Sequence, residues 1–599
     1  MTTATLTAPA PTAATPPSGR TWTTPALVVL LVGTAALYLW NLTASGWGNS
    51  YYAAATQAGA QSWTAWLFGG LDAGGVITVD KPPAALWVSG LFARVFGFSS
   101  WTVLAPQAIE GVLAVWLLYA TVKRTSGAVA GLMAGAALAV TPVAVLVFRF
   151  NLPDALLVLL MVAGAYCTVR ALEKGSGWWL ALAGVAIGFA FLAKMGQAFL
   201  VLPAFTAAYL LAAPTTLLKR VLHVLGAGVA VAVSAGWFIA LVELWPTASR
   251  PYIGGSSNDS LWELAMGYNG LGRIFGGGRG VVAGGGNANI GFGGETGIGR
   301  LFGASMGGEI SWLLPAALIG MVAGLWFTRR LPRTDRTRAA LVLWGLWVLG
   351  NGIVFSFMSG ITHPYYTVAV TPGVAALVAI AGRELWRGRK HLPVRVALAT
   401  VVAAAGFWGF ALLQRFGEWL PALRWVVAVL TVLVATAVVM GVRRVAALAL
   451  ATSVLSTAAF GVATAATPHS GSIPMSGPPS YASDDGGMGR GPMGEASPEL
   501  IDLLKATTGT WAAATVSAQS AASLSLASGK AVIGIGGWSG GDPAPTLAEF
   551  QEYVADGRIG YFVGGGGMGG PRGDSEIGEW VAAHYEPMTI GGSTVYKLG

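Results

Sequence analysis

Long apolar stretches follow one another from about residue 25 to residue 466, and short basic clusters lie in every second gap between them. That alternation leaves little choice of fold. A membrane-spanning helix needs about 20 predominantly apolar residues, and cytoplasmic loops collect Lys and Arg. Candidate spans are 25–44, 101–121, 127–147, 154–170, 177–193, 197–213, 221–243, 310–328, 339–358, 366–381, 395–413, 422–441 and 445–466. The basic clusters are Lys123-Arg124, Arg170 with Lys174, Lys219-Arg220, Arg329 to Arg338, Arg383 to Arg395, and Arg443-Arg444. With the amino terminus inside, all of them become cytoplasmic. Only 10% of the chain is charged, far below the quarter typical of soluble domains. The net charge of +9 is therefore explained by loop clusters, and a nucleic-acid-binding face is not expected. The one cysteine, Cys167, lies in an apolar run, which excludes an intrachain disulfide.

This reading divides the chain into a disordered cytoplasmic tail (1–22), a polytopic domain of about thirteen helices (23–467), a Gly/Ser/Pro/Met linker (468–496) and a terminal domain (497–599). The tail is too poor in apolar residues to fold. No charged segment with a cleavage site precedes the first apolar run, so that run reads as a membrane helix. An odd number of spans puts the terminal domain outside the cell. There, SPELIDLLKAT, TLAEFQEYVADG and SEIGEWVAAHY read as helices, and WAAATVS, AVIGIGG, IGYFVGG and STVYKLG as strands. The alternation predicts a small α/β domain with a mostly parallel sheet. Its GIGGWSGG segment has the wrong spacing for a dinucleotide loop.

Four segments fall on the outer side: 45–100, 148–153, 244–309 and 359–365. In the first, GGLDAGGVITVDKPPAALW brings Asp72, Asp80 and Lys81 together and stiffens the chain behind them with Pro82-Pro83. An incidental solvated ion pair is the plain alternative. However, the flanking stretches 63–68 and 86–98 can lie as interfacial helices and hold the loop at the membrane surface. FRFNLPDALL supplies Arg149, Asn151 and Asp154. Asp154 follows a proline at a helix start, so it is either a helix-terminus signal or a functional charge near membrane depth. Lys194 reads as a snorkelling side chain. GITHPYYT brings His363, Tyr365 and Tyr366. A histidine there could join Asp80 in holding a divalent zinc, manganese or magnesium ion, and the tyrosines alone would be an interfacial belt. The 244–309 loop offers Tyr252, Asn258, Tyr268, Asn269 and Arg273 as acceptor or lid contacts. Its glycine tracts from Gly276 to Gly299 read either as a lid ordered by ligand or as plain flexible chain.

The ordered set NSYYAAA, DKPP, NLPDALL, PYIGGSS, GYNGLGR and His-Pro-Tyr-Tyr resembles the GT-C membrane glycosyltransferases. The likeness is to the aminoarabinose transferase and protein O-mannosyltransferase superfamily, and within it to the bacterial YkcB-type mannosyltransferases. The resemblance covers about residues 25 to 599. It implies transfer of a sugar, a hexose such as mannose or a pentose, from a polyprenyl-phosphate donor to a lipid, glycan or protein acceptor at the outer face of a bacterial plasma membrane. Asp80 and Lys81 then take the lipid-phosphate end, with Asp80 able to help hold a metal, and Asp154 matches the second-loop acid. One departure stands out: where relatives carry an acidic pair early in the first outer loop, this chain has Gly48-Asn49-Ser50, and asparagine is no base. Lys81, Arg149, Asn151, Tyr365 and Tyr366 are the expected donor contacts. Asp72, then Asp154, is the expected catalytic base, with Asp72→Asn abolishing transfer, and a single displacement inverts the sugar carbon. A transporter or flippase would place ionisable groups at mid-span, often in inverted repeats. An envelope-binding sensor needs far fewer spans. Both are the weaker alternatives.

Overall fold

The computed structural model describes residues 22–272, 292–479, 496–538, 540–564 and 575–599. Among them, eleven stretches are long and apolar enough to cross a membrane. Two of these are much longer than one crossing requires: Ser100–Val140, with 41 residues, and Gly177–Ala212, with 36. Each turns back on itself. In the first, Gly127 sits at φ 81° and breaks the helix, a conformation glycine adopts without steric cost. The second arm then packs along the first. A Cβ on Gly131 would lie 2.7 Å from the Tyr119 carbonyl oxygen, and one on Gly135 would lie 3.4 Å from Val115. Small residues here let the two backbones approach closely. In the second stretch, the helix Gly177–Lys194 gives way to a 3₁₀ segment, Met195–Val201, and then to the helix Leu202–Ala212. The return brings Thr215 back against Gly175, beside the start of the stretch. The separate spans read at 101–121 and 127–147, and at 177–193 and 197–213, are thus arms of two helical hairpins.

The ends of the bundle are tied by polar groups at one point. Helix Thr23–Leu39 and helix Ala446–Ala466 both finish beside Arg149. Arg149 Nη1 donates to the carbonyls of Leu37 (2.8 Å) and Tyr38 (2.9 Å), and Nη2 donates to Ala465 (2.9 Å). Terminal carbonyls lack intrahelical partners and carry the negative end of the helix dipole, so a guanidinium satisfies both needs. Its burial pushes the guanidinium down to about 10. The chain leaving the last span is held as well. Glu309 accepts from the Ser476 amide (2.8 Å) and hydroxyl (2.5 Å), and the Gly477 amide donates to Thr464 Oγ1 at 2.9 Å. The first part of the expected linker is therefore packed; 480–495 lies outside the described residues.

His469, read as incidental, is buried in this stretch. Its Nε2–H donates to the Thr464 carbonyl (3.0 Å) and its amide to Ser45 Oγ (3.1 Å). Burial lowers the imidazole from 6.5 to about 4, the Thr464 bond opposing and Arg149 adding to the effect. The unfolded chain thus binds a proton between these values that the folded chain refuses. Stability should fall as pH drops from 6.5 towards 4, by about 3 kcal/mol in all, and be unaffected above that window. His469→Gln should lose this component, so unfolding midpoints in detergent should show the wild type's advantage shrinking as pH falls.

The terminal domain has strands β1 Trp511–Val516, β2 Val532–Ile535, β3 Ile559–Val563, β4 Pro587–Ile590 and β5 Ser593–Lys597, in the order β2-β1-β3-β5-β4. β1 pairs in parallel with β2 and β3, whereas β5 pairs antiparallel with β3 and β4. The sheet is therefore mixed, not mostly parallel. The two additions to the sequence reading are β4, entered through Pro587, and the helix Ala518–Ser528 between β1 and β2. One continuous apolar cluster joins this domain to the first loop: Trp511, Ile533, Ile535 and Phe550 pack with Tyr51, Leu71, Ile77 and Val79.

Candidate functional site

The loop between the helices Trp63–Phe68 and Ala84–Phe96 is a small folded hairpin. Gly69, at φ 74°, ends the first helix. Gly70 bridges Thr78 antiparallel, and Ile77 bridges Tyr252 in parallel. The Thr78 amide donates to the Tyr252 carbonyl at 2.8 Å and the Tyr252 amide to Val76 at 3.0 Å. Tyr252 thus reaches the loop through its backbone, while its hydroxyl donates to the Ser256 carbonyl.

Asp72 sits inside that hairpin with 2% of its surface exposed. Oδ1 accepts from the Gly75 amide (2.9 Å) and from Trp511 Nε1 (2.7 Å), and Oδ2 accepts from the Val76 amide (3.2 Å). Burial raises its carboxyl pKa, and the Trp511 bond and turn amides pull it back. Both oxygens are engaged in tying the turn and joining it to the terminal domain. The geometry therefore does not support Asp72 as the base.

Asp80 and Lys81 form the first of two buried ion pairs that meet here among the described residues. Lys81 Nζ lies 2.7 Å from Asp80 Oδ2 and donates also to the Asp80 carbonyl at 3.2 Å. The Asp80 amide donates to Tyr51 Oη at 3.1 Å, and Asn269 Nδ2 donates to the Asp80 carbonyl at 2.7 Å. Of the 244–309 set, Asn269 reaches this pair. The second pair joins Lys194 to Asp154. Nζ lies 2.5 and 2.6 Å from the two carboxylate oxygens, and Asp154 is fully enclosed. The same ammonium lies 3.7 Å above the Tyr366 ring and 5.2 Å from Tyr365, a cation–π arrangement. His363 packs on both tyrosines, stacked on Tyr365 and edge-on to Tyr366.

Tyr52 lies between the pairs. Its hydroxyl is pushed well above its ordinary range by burial first, then by Asp80, Tyr51, Tyr366 and Asp154. Tyr52 and Lys81 line one cavity together with Thr56, Ser89, Gln107 and Asn151. Asn151 fixes the start of the Ser50–Gln61 helix: its Oδ1 accepts from the Asn49 amide (2.8 Å) and its Nδ2 donates to the Asn49 carbonyl (2.9 Å). Asn49 in turn caps the helix by accepting from the Tyr51 amide at 3.0 Å. The asparagine at the departure from the family pattern is thus the cap that aims Tyr51 and Tyr52.

The remaining expectations divide. Arg149 is occupied at the helix ends described above and does not reach the cavity as a phosphate contact. Asn258 lies in an exposed turn, its amide donating to Glu263 at 3.1 Å. The side chain of Tyr268, the whole of Arg273 and most of the glycine tract lie outside the described residues. No group of three His, Cys, Asp or Glu side chains that could hold a metal occurs among the described residues. Asp80 already shares its carboxylate with Lys81, so Asp80 and His363 do not by themselves make a metal site. Lys194, Tyr51 and Tyr52 were missed as site residues, although NSYYAAA carried the two tyrosines in view. Glu110, 6% exposed, is an ionisable side chain inside the Ser100–Val140 stretch.

This helical bundle, with its polar site at one end, has the GT-C fold. It aligns with ArnT from Cupriavidus metallidurans bound to undecaprenyl phosphate at TM-score 0.54 and 16% identity, over 97% of this chain and 99% of that one. It also aligns with the archaeal oligosaccharyltransferase AglB from Archaeoglobus fulgidus, in complex with an inhibitory peptide and a dolichol-phosphate, at TM-score 0.51 and 14% identity, over 91% and 69%. The model of the family "Dolichyl-phosphate-mannose-protein mannosyltransferase" matches residues 80–239, and "Putative mannosyltransferase YkcB-like, C-terminal" matches 500–584. Two Bacillus subtilis proteins are each 30% identical: "Putative mannosyltransferase YycA" over 94% of both chains, and "Putative mannosyltransferase YkcB" over 93% of this chain and 90% of that one. The chain belongs to the YkcB family of multi-pass membrane glycosyltransferases.

Proposed function

We propose that the protein transfers a hexose, with mannose the first sugar to test, from a polyprenyl-phosphate carrier to an acceptor at the outer face of the plasma membrane. The observation that carries this reading is Lys81, paired with Asp80 and lining a cavity with Tyr52 and Asn151 at one end of the bundle. It puts an ammonium and a carboxylate where a lipid phosphate and a sugar hydroxyl can both arrive. The names of the relatives point to mannose, and the lipid phosphates bound in the two fold neighbours point to the carrier. The two helical hairpins raise the eleven apolar stretches to thirteen passes. With basic loops inside, that count supports an outer position for the site and the terminal domain.

In the reaction, the donor phosphate draws Lys81 Nζ away from Asp80. The bond between the anomeric carbon and the phosphate oxygen breaks, and the acceptor oxygen bonds to that carbon from the opposite face, inverting it. The acceptor proton passes to the carboxylate of Asp80. The departing polyprenyl phosphate keeps the electron pair, and its charge is stabilised by Lys81. Tyr52 orients the reactants between the two pairs, while the enclosed Asp154–Lys194 pair holds Tyr366. No step is routed through a metal ion. The test is incubation of purified protein in detergent with radiolabelled polyprenyl-phosphate sugars and an envelope extract. Label should move from the mannosyl carrier into an acceptor fraction; no transfer from any carrier would overturn the reading.

A further inference from the structure

The terminal domain meets the membrane domain at the residues that hold Asp80. The Trp538 ring lies 4.8 Å from that of Tyr51, and Tyr51 Oη is the acceptor for the Asp80 amide. Four residues on, Asp542 Oδ2 accepts from the Gly255 amide at 2.9 Å. Gly255, at φ +80°, passes so close to Asp80 that a Cβ on it would lie 3.2 Å from the Asp80 Cβ. The segment that carries Trp538 and Asp542 lies in the GIGGWSGG stretch and just beyond it, after β2. Its glycines have a definite use: a Cβ on Gly537 would strike Asp542 Oδ2 at 2.2 Å and press Ile77 at 3.0 Å. The glycine pattern that looks like a nucleotide loop lets one domain's backbone lie against the other's active loop.

We propose that Trp538 and Asp542 are positioning residues of the transfer site, gripping Asp80 from two sides through Tyr51 and Gly255, so that the terminal domain is a working part of the catalytic centre. The proposal rests on the reading of Asp80 given above. It concerns placement, and neither residue is assigned contact with substrate. Removing either grip leaves the Asp80–Lys81 segment attached to its neighbours but less sharply placed. A misplacement of about 1 Å at a reacting group costs roughly a hundredfold in rate.

The experiment uses the full chain in detergent and two readouts. Hydrogen–deuterium exchange follows the amides of Thr78 to Lys81. Label transfer from polyprenyl-phosphate mannose gives kcat and KM. Trp538→Ala and Asp542→Ala should each speed exchange at Asp80 and lower kcat roughly ten- to hundredfold, with the KM for donor little changed. Trp538→Phe keeps an aromatic face on Tyr51, and Asp542→Asn keeps an oxygen for the Gly255 amide, so both should restore most of the rate. Lys505→Ala, an exposed change on the same domain, should move neither readout. Unchanged exchange at Asp80 in both alanine variants would overturn the proposal. So would loss of protection throughout β1, β2 and β3, which would reduce these residues to packing. If exchange at Asp80 responds as expected but the wild type uses no polyprenyl-phosphate sugar, the grip stands and the donor assignment falls.

Discussion

Lys81→Met should leave a folded chain whose kcat for sugar transfer is lower by on the order of 10²–10³-fold, the usual effect of removing one preorganised stabiliser of developing negative charge. Lys81 faces the cavity and is paired with its neighbour in sequence, so its removal strips the leaving phosphate of a partner and also leaves the buried Asp80 carboxylate without its ammonium. Lys81→Arg keeps the charge. Its planar fork is longer and fixes hydrogen bonds in one plane, so it should recover only part of the rate. Initial rates at saturating donor, with protein monodispersity as the folding control, check both. A Lys81→Met variant within threefold of wild type would remove the ammonium from the mechanism.

Lys194→Met should act on the fold. It leaves Asp154, fully enclosed, without the ammonium that both its oxygens contact at 2.5 and 2.6 Å. Stranding one member of a buried pair costs about 3–5 kcal/mol. The contact with the Tyr366 ring at 3.7 Å is lost as well. The double variant Asp154→Leu with Lys194→Met replaces both charges by apolar groups and should regain most of the unfolding midpoint, because two desolvation penalties vanish together. An unchanged midpoint in the single variant would show that water reaches Asp154 and that the pair is not sealed. Both variants strand a buried carboxylate, and the loss of rate at saturating donor in the folded fraction is what sets Lys81 apart from Lys194.

The same contrast explains what could be read from the chain alone. Charge is so scarce in this sequence that DKPP stood out, and the scarcity reflects a real cost of placing ions at membrane depth. Asn269 stood out in GYNGLGR, but its bond to the Asp80 carbonyl, 189 positions away, could not be read from the chain. The structural tie of Asp72 was not legible because its partner, Trp511, is 439 positions away, and no spacing rule links the two. Arg149 looked like a phosphate ligand for a similar reason: its carbonyl partners at Leu37 and Ala465 are backbone groups that any residue would supply. Lys194 resembled a snorkelling side chain because a lysine at a helix end gives no sign of a carboxylate 40 residues earlier. In the terminal domain the helices Pro498–Lys505, Leu547–Ala555 and Glu576–His584 and four strands follow hydrophobic periodicity, whereas Ala518–Ser528 does not announce itself that way. The antiparallel return of β4 and β5 depends instead on turn geometry at Gly591 and Gly592, both at positive φ.

The adjacency of Asp80 and Lys81 has a kinetic consequence. Because the carboxylate is covalently next door, it is present at a very high effective concentration and competes with every anion that reaches the ammonium. If the donor is a polyprenyl-phosphate sugar, as proposed, that competition weakens its binding, and it disfavours small, singly held anions more than a lipid phosphate anchored by its chain in the bilayer. After transfer the same competition runs in the other direction. Once Asp80 has passed its proton to solvent, it reclaims Lys81 and displaces the spent carrier. On the proposed mechanism, residence of the spent lipid at the site would therefore be limited from within, without a separate ejecting group.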